Sequence, residues 1–95
     1  MSRVSLFRPR PRSLSAELAR QAPPALDVTL MNGDRTRRYQ IRRGLDVDEW
    51  YAQVWFGETQ HRGERLAGIV AAHRRLAEFR REIEQLRIDG WIERP

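Results

Sequence analysis

The chain contains no cysteine and no lysine, and no serine after residue 15. Without cysteine it can form neither a disulfide scaffold nor a thiolate zinc site, and it has no cysteine nucleophile. The two histidines, His61 and His73, complete a thin catalytic inventory. His61 with Glu58 and Glu64 lacks metal-ligand spacing and reads as ordinary turn composition, while His73 reads as a boundary residue of a helix. The glycines of GETQHRGER are not followed by the Gly-Lys-Ser/Thr ending that holds nucleotide phosphates. Catalysis, a cofactor and a metal are therefore not expected. No apolar run approaches membrane-spanning length, and the start MSRVSLFRPRPR has no apolar signal core, so the expectation is a soluble, cytoplasmic protein without a membrane partner.

The missing lysine makes the basic set entirely arginine: 18 basic against 13 acidic residues, net +5, in 95 residues. A planar guanidinium binds phosphate bidentately and stacks on bases, which suits DNA or RNA. Codon bias in a GC-rich genome explains the same composition equally well. The length allows one compact domain with a modest core.

Two segments are expected. Residues 1–24 read as a basic Pro/Arg arm, with Arg3, Arg8, Arg10 and Arg12 and no acid in the first twelve residues, followed by a short helix through SAELARQ that ends before Pro23-Pro24. Residues 25–95 read as a sheet-plus-helix module. Leu26, Val28 and Leu30 alternate with polar residues, and Asn32-Gly33 supplies turn chemistry. Tyr39 and Ile41 point a second strand at the core, between Arg38, Gln40 and Arg42. Beyond a loop over residues 44–48, a third strand divides its side chains. Trp50, Ala52, Val54 and Phe56 face the core, and Tyr51, Gln53 and Trp55 face away. Residues 59–62 suggest a short fourth strand.

From about residue 64 to 89 a long helix is expected, with Ile69, Ala72, Leu76, Phe79, Ile83 and Leu86 forming its apolar stripe and Gly90 its stop. The fold class is α+β: a three- to four-stranded antiparallel sheet with one C-terminal helix on one face. The other face would then carry Tyr51 and Trp55 beside Arg38 and Arg42. Aromatics interleaved with arginines suit a nucleic-acid platform, and equally a protein interface.

Residues 34–92 resemble the WGR domain. Tyr39, Trp50, the Phe56-Gly57 step, Phe79 and Gly90-Trp91 match its order of landmarks, while Glu58 stands where the family has its signature arginine and residues 59–63 replace its glycine-rich turn. The resemblance implies a small sheet-plus-helix fold and a non-catalytic role in nucleic-acid binding or interdomain docking, as in modules beside poly(ADP-ribose) polymerase domains. Arg62 or Arg65 could stand in for the lost arginine. The expected function is thus a nucleic-acid-binding accessory module using Arg8, Arg10, Arg12, Arg38, Arg42, Tyr51, Trp55 and Arg62. The alternative is a protein-interaction or assembly module, an adaptor or inhibitor from a mobile genetic element, acting through the aromatic face or as a homodimer through the helix stripe.

Overall fold

The computed structural model describes residues 24–95, so the expected basic arm, its helix, and Arg8, Arg10 and Arg12 lie outside the described residues. Five antiparallel strands and one helix follow in the order β1 (Leu26–Asn32), β2 (Arg35–Arg43), β3 (Glu49–Phe56), β4 (Thr59–Ala67), α1 (Ile69–Ile88) and β5 (Ile92–Glu93). The sheet order is β4-β3-β2-β1-β5. The α+β class and the single C-terminal helix match the expectation from sequence, with one strand more than expected.

Alternation along each strand sorts the sheet into two faces. Leu30, Tyr39, Ile41, Trp50, Ala52, Val54 and Leu66 are buried on one, where they meet Ala72, Leu76, Phe79, Ile83 and Leu86 of α1. The Tyr39 and Phe79 rings pack edge-to-face, centroids 5.2 Å apart at 72°. This is the arrangement the ring quadrupoles favour.

Four details depart from the sequence reading. β4 is a full strand of nine residues and claims residues 64–67, so α1 starts at Ile69 rather than near 64. Cross-strand pairing decides this: Glu64 lies opposite Ala52 and Leu66 opposite Trp50, placing Leu66 in the core as a strand residue. Phe56, expected in the core, is 37% exposed: it is the last residue of β3 and lies outside the cluster that the sheet and α1 bury between them. β4 also carries an irregularity: Val54 faces Arg62 while Trp55 faces Gln60, leaving His61 as an extra residue. Finally, β5 adds a short edge to β1 through the pairs Leu30 with Glu93 and Met31 with Ile92.

The helix end explains how β5 gets there. Gly90 sits at φ 103, a conformation that side chains with a Cβ resist, and its N–H donates to the Arg87 carbonyl while that of Trp91 donates to Leu86. Together these two bonds reverse the chain. Trp91 is thereby laid into the core, and the residues after it reach β1.

The connection between β2 and β3 is as definite. The Gly44 N–H donates to the Glu49 carbonyl at 2.7 Å, the Asp46 N–H to Glu49 Oε1 at 3.3 Å, and the Gly68 N–H to the Asp48 carbonyl at 2.7 Å. Glu49 is only 8% exposed and pairs with Arg65 at 3.2 Å. A Cβ at residue 44 would lie 2.6 Å from Glu49 Oε1 and 2.7 Å from its Cγ, so a side chain there would displace the buried Glu49 carboxylate.

Candidate nucleic-acid interface

The sheet face away from α1 is built by strand register. Arg38 lies opposite Trp55, Gln40 opposite Gln53 and Arg42 opposite Tyr51, so β2 and β3 bring four of the expected site residues side by side. β1 adds Asp27 and Thr29, opposite Gln40 and Arg38, and β4 adds Arg65 opposite Tyr51. No described helix covers this face. Tyr51 and Trp55 are both half-buried.

The charges on the face are unequal in what they can offer a ligand. Arg38 donates from Nε and Nη2 to the two carboxylate oxygens of Asp27 at 2.8 and 2.7 Å, a bidentate pair with no net charge. Arg65 is engaged by Glu49. Arg42 has no carboxylate partner among the described residues, and its guanidinium lies 5.0 Å from the centroid of the Tyr51 ring. Among the described residues the face therefore presents, at Arg42, a guanidinium without a carboxylate partner that lies over an aromatic ring and donates from Nε to Gln53 Oε1 at 3.5 Å, with the Gln40 amide nearby. Gln53 itself donates to Gln60 at 3.0 Å. Trp55 contributes part of its ring, since its Nε1 is buried without an acceptor.

Arg62 does not join this group. Val54 lies opposite it, which puts it on the α1 side, where its guanidinium makes a forked pair with Glu82 at 2.6 and 3.3 Å and lies 5.8 Å from the Phe79 ring. The Tyr39 hydroxyl donates to the same carboxylate at 3.1 Å. Glu58 occupies, with Gly57 at φ 62, the two-residue turn joining β3 to β4, and is exposed. His61 stacks on Phe56 (centroids 4.1 Å, 12°), and Glu64 pairs with Arg75. The grouping of His61 with Glu58 and Glu64 considered from sequence is therefore not assembled. Among the described residues no cluster of three or more His, Asp or Glu is placed to hold a metal ion, and no helix is long and apolar enough to cross a membrane.

Comparison with family models, curated proteins and solved structures finds no match for this chain.

One group of residues has no counterpart among those expected from sequence. At the end of the sheet formed by the two hairpin turns, Arg35 and Arg37 share the parity of Tyr39 and Ile41 but lie past the end of α1. There the Arg37 guanidinium sits 4.5 Å from the Phe56 ring centroid and 5.1 Å from that of Trp91, and Arg35 lies 5.3 Å from Trp91. Together with Asp34, Thr36 and Gly57 they line a concavity of about 320 Å³. The signal in the sequence is strand parity continued beyond Tyr39 toward the Gly33 turn, combined with the length of the helix.

Two ion pairs set the acid limb of stability. The hydrogen bond from Arg38 holds the Asp27 carboxyl below its ordinary value; burial opposes it, and the Arg38 charge adds to the lowering. At Glu82 burial pushes upward, but hydrogen bonds from Arg62 and Tyr39 and the charges of Arg62 and Arg75 outweigh it, and the net shift is downward. Burial, then the neighbouring Glu82 charge, raises the Tyr39 phenol. A depressed carboxylate contributes stability that is present above its unfolded value and lost as pH falls through the folded one. A raised phenol contributes stability that is present below its unfolded value and lost as pH rises through the folded one. Melting temperature should therefore fall below about pH 4 and again above about pH 10. Both carboxylates are substantially solvent-exposed, so the acid effect is modest. Thermal melts across pH for Glu82→Gln and Asp27→Asn should show a flatter acid limb.

Proposed function

We propose that this protein is a small, non-enzymatic nucleic-acid-binding accessory module that engages single-stranded segments through the open sheet face. The observation that carries the reading is the Arg42 guanidinium stacked over Tyr51, free of a carboxylate among the described residues, on a face no described helix covers. A phosphate pairs with the fork while a base stacks beside it, so one residue pair serves both halves of a nucleotide. The half-buried Trp55 ring and the Gln40 and Gln53 amides extend the platform along the strands. The resemblance of residues 34–92 to WGR domains supports the same class of role. Arg38, neutralised by Asp27, acts in this reading as a brace for the face rather than as a phosphate ligand.

Fluorescence anisotropy with labelled single-stranded DNA and RNA tests the proposal. The affinity should fall with rising salt, with a logarithmic slope of about −0.7 per neutralised phosphate. Affinity no greater than that of a scrambled peptide of the same composition, at low and at moderate salt, would refute it.

A further inference from the structure

The two ends of the sheet differ in chemistry. At one end, the loop between β2 and β3 holds Leu45 fully exposed and Val47 81% exposed, interleaved with Asp46 and Asp48. Nothing in the described fold uses these two aliphatics. The loop is nevertheless fixed, by the backbone bonds that tie Gly44 to Glu49 and Asp48 to Gly68 and by the buried Glu49 carboxylate beneath it. Its apolar tip is thus presented in one shape, between two negative charges.

At the other end, about 27 Å away along β2 at about 3.4 Å per residue, lies the concavity formed by Arg35, Arg37, Phe56 and Trp91. Its aromatic walls are apolar, and its two guanidinium groups have no carboxylate partner among the described residues. Asp34 is the one acid in its lining. Tip and concavity are complementary twice over, aliphatic against aromatic and aspartate against arginine.

We propose that the tip carrying Leu45 and Val47 of one copy of this chain docks in the Arg35/Arg37/Phe56/Trp91 concavity of another. The two surfaces are different and lie at opposite ends, so a pair of copies keeps one free tip and one free concavity. The contact is heterologous and leads to head-to-tail chains or closed rings rather than a twofold dimer. Its apolar part favours association at any salt, and its charged part weakens as salt screens the aspartate–arginine attraction. This assembly is independent of nucleic-acid binding, which uses the sheet face between the two ends.

Sedimentation velocity on the full chain, up to about 1 mM, provides the test with two variants. Leu45→Asp/Val47→Asp destroys the tip at positions that support no core. Arg35→Glu/Arg37→Glu destroys the concavity, and Arg37→Gln is the milder substitute if circular dichroism shows that the double variant misfolds. The unmodified chain should grow in mean size with concentration without stopping at a dimer, and each variant alone should be monomeric. Mixed one to one, a dead-tip chain offers only a concavity and a dead-concavity chain only a tip, so the mixture should yield heterodimers and nothing larger. A strictly monomeric unmodified chain, self-association that survives in either variant, or a mixture that stays monomeric would each overturn the proposal. So would a concavity variant that loses only nucleic-acid binding, since that result would make a phosphate the occupant.

Discussion

Replacing Phe79 with alanine is expected to lower the unfolding free energy by about 3–5 kcal/mol. The ring is 2% exposed at the centre of α1, packs edge-to-face on Tyr39, and lies beneath the Arg62 guanidinium. Its removal takes away apolar burial, opens a cavity between helix and sheet, and leaves the Tyr39–Glu82–Arg62 network without its floor. Domains of this size have about 5–15 kcal/mol of stability in all, so the variant should sit near the edge of folding. Urea titration of Phe79→Ala and Phe79→Leu would check this. The leucine variant, which refills most of the volume, should recover a large part of the loss, whereas equal stability of both to the parent would show that the α1–sheet contact is not the principal core.

Tyr51→Ala is expected to weaken single-strand binding by about 1–3 kcal/mol, or roughly 5- to 150-fold. Tyr51 is paired with Arg42 across the strands and half-buried on the open face, so its loss removes the stacking surface and frees the guanidinium that it orients. Folding should change little, because the core strands meet α1 on the opposite side. The informative control is Arg62→Ala. That residue has the same formal charge as Arg42 but points at Glu82 on the helix side, and its removal should leave affinity within about twofold of the parent if the open face is the platform. If Arg62→Ala weakened binding as much as Tyr51→Ala, the helix side would be the interface and the open-face reading would fail.

Period-two alternation and helical spacing make most of the core legible in the sequence. Tyr39, Ile41, Trp50, Ala52 and Val54 on the strands, and Ala72, Leu76, Phe79, Ile83 and Leu86 on the helix, are the residues the patterns pick out. What the patterns miss depends on distant partners. Phe56 has the parity of a core residue, but it ends β3 outside the core cluster, where the His61 ring and the Arg37 guanidinium pack on it instead of α1. Residues 64–67 suit a helix or a strand locally, and pairing with β3 selects the strand. The same holds for charge. Arg38 and Arg42 are equivalent in sequence, yet β1 brings Asp27 to the first and no carboxylate to the second among the described residues. Arg62 looks like a further ligand for phosphate, and the Glu82 that engages it is twenty residues further along the chain.

The irregularity in β4 has a consequence for solubility. This nine-residue strand is the long outer edge of the sheet, and an unbroken edge invites strand-to-strand addition by other molecules and, ultimately, fibril growth. The extra residue at His61 puts residues 59–60 out of phase with 62–67, so no incoming strand can match both halves in one register. Arg62, Glu64 and Arg65 charge the remainder. The edge is thereby protected against templated aggregation along its length.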